Sequence, residues 1–180
     1  MRMKTTDEDL ATAAAAGDAA AFGVLLDRHY DRLFAFCFRL TGARAEAEDL
    51  TQDICAALPV KLRSYQGRAQ VTTWLYRVAV NAAHDRRRKQ ATYAKAAIGW
   101  GTWEIGRVAD ARDAADKSDW LAGAMANLSD DLRDTLALVL DDATHAQAAQ
   151  VLGVSEGTIS WRISEAKKHL KAVRTREDTP

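Results

Sequence analysis

The 180-residue chain holds two prolines, ten glycines and two cysteines, and it has no net charge. One proline is the last residue, so little in the sequence forces a helix to end. Cys37 and Cys55 each lie in an apolar helical pattern, and neither has a Cys or His nearby at metal-ligand spacing. That excludes a disulfide-built secreted scaffold and a cysteine zinc site. It predicts two reduced, buried thiols in a cytosolic protein, poorly placed to sense oxidants. No run approaches the roughly 18 apolar residues of a membrane span. Met1-Arg2-Met3-Lys4 leads into Asp7-Glu8-Asp9 rather than an apolar signal core, so the expected location is the cytoplasm. The balance of 25 basic against 25 acidic residues excludes a histone-like protein held to nucleic acid by bulk charge.

What the chain does have is alanine: 36 residues, one in five. Alanine favours helix, and 48% hydrophobic residues rule out a wholly disordered chain, so the expected fold class is all-α. The length suits one large domain or two small ones. Charge is segregated beneath the zero net value. Residues 1–95 carry 15 basic and 11 acidic side chains, whereas residues 126–180 carry 7 and 9. Within these, residues 77–95 hold six basic residues against Asp85. Residues 162–176 hold Arg162, Lys167, Lys168, Lys171, Arg174 and Arg176 against Glu165. Two basic helical stretches in a neutral protein mark two contacts with a polyanion, although each alone is more often a solvated face.

Asp18 reads as an N-cap, followed by Phe22, Leu25, Leu26, Leu33, Phe36, Cys37 and Leu40 at helical spacing, with Gly42 ending the helix. A second helix from about Arg44 sets Leu50, Ile54 and Leu58 on one side and Glu46, Asp49, Gln52 and Asp53 on the other, and Pro59 predicts its kink or stop near Leu58. Residues 64–70 read as a loop around Gly67. A third helix starts at Thr72 or Thr73 and runs to about Gln90, burying Leu75, Val78, Ala79 and Ala82. Periodicity fails from about Ala96 to Asp119, where Gly99, Gly101 and Gly106 mark a linker and hence a domain boundary. Trp100 and Trp103 within it suggest docking onto the protein or a partner. Beyond it, Trp120, Leu121, Met125 and Leu128 fit one short helix. Ser129 caps the next, with Leu132, Leu136, Val139 and Leu140 inward. Thr144 caps a third through Leu152, Gly153 is a turn, and Ser155 caps a fourth to about Arg174.

The last two of these helices form the sharpest motif. Ala149, Gly153 and Ile159 supply the small crossing residue, the turn and the apolar anchor that a helix-turn-helix requires. The competing reading is a plain αα-hairpin. Exposed candidates on the second helix are Thr158, Ser160, Trp161, Arg162, Ser164, Glu165 and Lys167. The helix of Trp74 carries a second signal. Trp74, Arg77, Asn81, His84 or Asp85, and Arg88 share one stripe opposite the apolar one. A ring to stack on a base, an amide to read its edge and arginines to track phosphates suit single-stranded or melted nucleic acid. Set against this is Trp74 as a core residue beside an ordinary solvated face.

Together these residues resemble an extracytoplasmic function sigma factor of the sigma-70 family, a promoter-specificity subunit of bacterial RNA polymerase. Three motifs carry the resemblance. Ala47-Glu48-Asp49-Leu50-Thr51-Gln52-Asp53 resembles the segment of sigma region two that binds the β′ clamp helices. Thr73-Trp74-Leu75-Tyr76-Arg77-Val78-Ala79-Val80-Asn81 resembles the helix that melts and reads the −10 element. Gly153-Val154-Ser155-Glu156-Gly157-Thr158-Ile159 with Arg162 resembles the region-four recognition helix for the −35 element. The resemblance implies a region-two helical bundle over 1–95, a flexible linker over 96–119, a region-four helix-turn-helix over 120–174 and a tail over 175–180.

It further implies polymerase contacts at Asp49, Gln52 and Asp53. Tyr65 and Arg68 belong to a pocket for a flipped −10 nucleotide, beside Trp74, Arg77 and Asn81, and Arg86, Arg87, Arg88 and Lys89 hold duplex backbone. Contacts to the −35 element fall to Thr158, Ser160, Trp161, Arg162, Ser164, Lys167 and Lys168. Implied partners are core RNA polymerase (β′ clamp helices and β flap), promoter DNA and an anti-sigma factor, which is the one implied route to a membrane. No cofactor, metal or catalytic residue is implied. Ser160-Trp161 and Glu165 depart from the family pattern, which usually has a basic residue followed by Ser and a later Arg.

Two rivals remain in view. A sigma mimic would bind polymerase or a regulator without starting transcription, which fits the altered recognition face but not the intact Trp74–Asn81 helix. An all-α enzyme would need a metal motif or triad, and His29, His84, His145 and His169 form none by spacing.

Overall fold

The structure, a computed structural model, describes residues 5–98 and 117–177. Among these residues the chain forms eight helices: α1 (Asp7–Ala15), α2 (Ala19–Thr41), α3 (Arg44–Leu62), α4 (Val71–Ile98), α5 (Lys117–Ala126), α6 (Asp130–Leu140), α7 (His145–Leu152) and α8 (Glu156–Glu177). The first four make one unit and the last four another.

Local chemistry sets the boundaries in the first unit. The Asp18 carboxylate accepts hydrogen bonds from the Ala20 and Ala21 amides at 2.9 and 3.0 Å, satisfying donors that α2 leaves open. Gly42 closes the helix in the left-handed region at φ 74°, a conformation glycine adopts without a Cβ clash. Leu25, Leu33, Phe36, Cys37 and Leu40 of α2 pack against Leu50, Ile54 and Leu58 of α3 and against Leu75, Val78 and Ala79 of α4. The expected stripe is buried apart from Ala82, which is only partly so.

α1 has no counterpart in the sequence reading. A capping box starts it, with Thr6 and Asp9 each bonding the other's backbone amide. Asp7 then ties it to α2, lying 2.7 Å from Arg28 Nη1 and 2.8 Å from His29 Nε2, so the buried His29 is a packed, partnered residue.

Three boundary expectations need correction. α3 does not stop near Leu58 but continues through Pro59 to Leu62. Pro59 removes one amide donor near the end of the helix, while the further turn buries Leu62 almost completely, and that burial outweighs the lost bond. α4 starts at Val71 and runs to Ile98, well past Gln90. Cys37 is buried as expected, but Cys55 is only half-buried.

In the second unit Thr144 and Gln147 form a capping box at the start of α7, and Gly153 turns the chain at φ 67°. The Thr158 amide donates to Ser155 Oγ at 3.1 Å, which caps α8. Ala149, Val151, Ile159, Ile163 and Ala166 are buried, which builds the helix-turn-helix core. Ser129 precedes α6 without a side-chain cap bond. Leu132 and Leu136 face inward, whereas Leu140 is exposed and Leu138 is buried in its place. The cause is that α6 packs against both α2 and α8, so more of its circumference is covered than one stripe. Trp100 and Trp103 lie outside the described residues, as does most of the expected linker.

The two units are packed together. α2 meets α5 and α6, and α4 meets α7. Among the described residues no helix is long and apolar enough to cross a membrane, and no group of three His, Cys, Asp or Glu is placed to hold a metal ion.

Candidate nucleic-acid and protein interfaces

The exposed face of α3 follows from its apolar period, since burying Ala47, Leu50, Ile54 and Leu58 leaves Asp49, Gln52 and Asp53 in solvent. Arg86 of α4 reaches across to this face. Its Nη2 donates to Asp49 at 2.9 Å and its Nη1 to Asp53 at 3.3 Å. The structure therefore places Arg86 with the acidic face rather than with Arg88 and Lys89. Arg88 is exposed and paired with Asp85 at 2.9 Å, and Lys89 is exposed.

At the start of α4 the loop and the helix form an aromatic corner. The Tyr65 and Trp74 rings meet edge-on with centroids 5.4 Å apart. The Tyr65 hydroxyl donates to the Ala69 carbonyl at 2.7 Å, which closes the loop around Gly67. Burial raises the Tyr65 phenol above its ordinary value, with a smaller push from the Glu8 charge. Trp74 packs partly against the core, so the reading of it as a core residue holds in part. Arg68, Arg77 and Asn81 are exposed, and Asn81 lies two turns beyond Trp74 on the same side.

The second unit lies against this helix. Arg77 Nη2 donates to the Gln150 carbonyl of α7 at 2.5 Å, and Gln147 donates to Gln70 Oε1 at 3.3 Å. Two buried carboxylates make the strongest contacts. Asp134 is 1% exposed. Arg87 Nη2 donates to both of its oxygens, at 2.9 and 3.1 Å, and His84 Nε2 lies 2.6 Å away. Arg87 Nη1 also lies 2.6 Å from Asp130. Burial would lower the Arg87 pKa, but Asp134 and Asp130 raise it instead.

Asp141, just past α6, takes Arg32 Nε at 2.8 Å and Arg39 Nη1 at 2.9 Å, and the Tyr76 hydroxyl donates to its carboxylate. Its carbonyl accepts from Arg32 at 2.7 Å and from Tyr76 at 3.1 Å. Burial alone would raise the Asp141 carboxyl, yet these donors hold it below the usual carboxylate value. The same burial, with the carboxylate beside it, pushes the Tyr76 phenol up. Asp142 follows in the left-handed region at φ 62°, a conformation aspartate tolerates better than most residues.

On α8, Trp161 stands 62% exposed. Ser164, Lys167 and Lys168 are exposed beside it, with Lys168 paired to Glu165 at 3.1 Å. Ser160 donates to the Glu156 carbonyl at 3.1 Å and lies 3.3 Å from His145 Nδ1. Thr158 is bound to Ser155 at 2.9 Å. Arg162 is largely covered and donates to Asp131 of α6 at 2.7 Å. Ser164, Lys167, Lys168, Leu170, Lys171 and Arg174 line an open groove along this helix.

Sequence reasoning missed Arg32, Arg39, Asp134 and Asp141 altogether and named Tyr76 only as part of the Trp74 motif. One signal was available: Asp134 and Asp141 are seven residues apart, hence on one face, and that face is the inward one of Leu138. An acid on a buried face demands a cation from elsewhere.

Comparison with known proteins divides the chain in the same way. The family described as Sigma-70 region 2 matches residues 25–93, and the family described as Sigma-70, region 4 matches residues 118–170. The ECF RNA polymerase sigma factor SigM of Mycobacterium tuberculosis is 30% identical over 171 residues, covering 94% of this chain and 85% of the relative. The ECF RNA polymerase sigma factor SigW of Bacillus subtilis is 27% identical over 167 residues, covering 86% and 89%. Two solved structures share the fold. CnrH in complex with the cytosolic domain of CnrY superposes with a TM-score of 0.71 at 22% identity, over 96% of this chain and 99% of that one. The sigma factor RpoE of Bartonella quintana in complex with the anti-sigma factor NepR gives 0.70 at 24%, over 86% and 96%.

Proposed function

This chain belongs to the sigma-70 family as an ECF RNA polymerase sigma factor, and from that premise we propose how its surfaces divide the work. The exposed carboxylates and amide of Asp49, Gln52 and Asp53 bind the β′ clamp helices of core polymerase, where an acidic face suits arginine-rich partners. The β flap is the second polymerase contact. Trp74, Tyr65, Arg68 and Asn81 capture a base of the −10 element. Stacking on an aromatic and edge recognition by an amide offset an unstacking cost of a few kcal/mol per base, so no ATP is needed. Arg77, Arg87, Arg88 and Lys89 hold the backbone around the opened site. Arg86 serves the clamp face, because it is already seated on Asp49 and Asp53.

On α8, Thr158, Ser160, Trp161, Arg162, Ser164, Lys167 and Lys168 meet the −35 element. The large Trp161 indole makes apolar contact in the major groove where the family has a serine. An anti-sigma factor holds the protein inactive until a signal arrives. This anti-sigma step is drawn from the structural neighbour solved in complex with an anti-sigma factor.

The observation that carries the reading is the aromatic corner of Tyr65 and Trp74 set on the same helix face as the exposed Asn81. The test is transcription in vitro from fragmented genomic DNA by bacterial core polymerase with and without the protein, with RNA 5′ ends mapped. Discrete new starts that share upstream elements and vanish with Asn81→Ala are expected. Polymerase binding without new starts overturns the reading in favour of a sigma mimic.

A further inference from the structure

Trp161 stands on the second turn of α8, 62% exposed. An indole offers no charge to a phosphate, so its place on a helix that meets DNA calls for an apolar group on the duplex. We propose, resting on the −35 assignment of α8 above, that Trp161 makes this chain a reader of thymine. The indole packs on the C5-methyl group, which thymine alone among the four bases carries into the major groove.

The polar groups around the ring are already engaged. Ser160 Oγ donates to the Glu156 carbonyl at 3.1 Å and lies 3.3 Å from His145 Nδ1. The Thr158 hydroxyl lies 2.9 Å from that of Ser155. Arg162, whose side chain is 13% exposed, donates to Asp131 at 2.7 Å. A guanidinium so covered does not present the two-donor fork that a guanine edge takes. Glu165 is held by Lys168 at 3.1 Å, so its charge is met within α8. Lys167 is six residues on, roughly 9 Å along the helix axis, and reaches a different stretch of the duplex.

The helix also opens the approach to the ring. Ile159 and Ile163 are buried, which turns Trp161 outward. Gly157, Trp161 and Ser164 lie at i, i+4 and i+7, share one face and are all exposed. A helical side chain leans towards its own N-terminus, so the indole lies over Gly157, where no side chain holds the duplex off. Ser164 on the next turn is short, which makes the indole the tallest group on this part of α8 and the first to meet base edges. A methyl group gains from that contact, whereas a polar base edge would lose water without regaining its hydrogen bonds.

The probe is a pool of short duplexes with a random central stretch. The full-length chain, alone and in complex with bacterial core polymerase, selects from it, and bound duplexes are sequenced. Each thymine of the selected site is then replaced singly by deoxyuridine, which lacks only the methyl group. One position is expected to lose about fourfold in affinity, the effect of uncovering one methyl-sized group. In Trp161→Ala the same replacement is expected to change nothing at that position, while Trp161→Phe keeps part of the effect. Far-UV circular dichroism should match the wild type for both variants, since the position is exposed. A selected site without a methyl-dependent thymine, a guanine preference that disappears with Trp161, or methyl dependence that survives Trp161→Ala overturns the proposal. Failure of both forms to select any duplex overturns it too, and leaves Trp161 to a protein partner. Mapped promoter starts without methyl dependence remove the thymine contact and leave the sigma-factor reading standing. A methyl-dependent site selected by the chain alone, with no starts from core polymerase, sinks that reading and keeps the contact.

Discussion

Replacing Pro59 by alanine should make the protein more stable. Pro59 lies inside α3, where its missing amide leaves the Cys55 carbonyl without its helical partner and its ring crowds that carbonyl. In a helix interior proline is about 3 kcal/mol less favourable than alanine. Part of that returns through the unfolded chain, which proline stiffens by roughly 0.4–1 kcal/mol. The net expectation is a gain of about 2 kcal/mol. Since 1 kcal/mol moves the midpoint by about 2–4 °C for 150–250 residues, the rise is about 4–8 °C. Urea unfolding followed by circular dichroism should show a higher midpoint with an unchanged slope, the mark of altered stability rather than altered compactness. Pro59 is exposed and stands a full turn from Leu62 and next to Leu58, both buried, so the substitution removes no core contact. A midpoint equal to or below that of the wild type would refute the account, showing that the preset proline dihedral holds the last turn of α3.

Three further outcomes follow from single sites. Gly153→Ala meets no atom within 4 Å, so its cost is the φ of +67° alone, about 1–2 kcal/mol. Denaturation should show that loss, and a larger one would mean the turn is packed in a way the structure does not contain. Thr144→Ala removes one half of a capping box and should cost about 1 kcal/mol in the same assay, with Thr144→Ser retaining most of it. Cys37 gives a pH signature. Burial pushes its thiol from 9.0 up to about 11, so between those values the native state keeps a proton that the unfolded chain has lost. Stability from this group is complete below pH 9 and falls as pH rises towards 11, by about 3 kcal/mol. Cys37→Ala should flatten that difference, and a wild type that falls no faster than the variant would contradict the burial argument.

Features that depend on a few neighbouring residues were readable from the sequence. The caps at Asp18 and Thr144, the turns at Gly42 and Gly153 and the apolar period of α2 each rest on local chemistry, and each sits where the spacing put it. Pro59 shows the limit of local rules, since its cost is set against the burial of Leu62 by elements far along the chain. The weakly periodic, alanine-rich α1 escaped notice although Thr6 and Asp9 spell its cap. The contact between units was invisible for a simpler reason. Arg32 and Asp141 are 109 residues apart and His84 and Asp134 are 50 apart, and no periodicity within either segment names the other. The site residues were legible as a face, with Trp74, Arg77 and Asn81 along one side of α4, while the duties of Arg86 and Arg87 depend on which acids fold against them.

Arg77 and Arg87 face a constraint that acts over generations rather than milliseconds. Each is bonded to the second unit in the structure and each sits on the helix face assigned to DNA. A mutation that strengthens their hold on a phosphate also alters their hold on Gln150 or Asp134, so DNA contact and the packing of the two units cannot be tuned separately at these two positions. Lineages that retune one must compensate the other. The freer dials are the exposed Arg88 and Lys89 on the same helix, where no carboxylate of the second unit is seated.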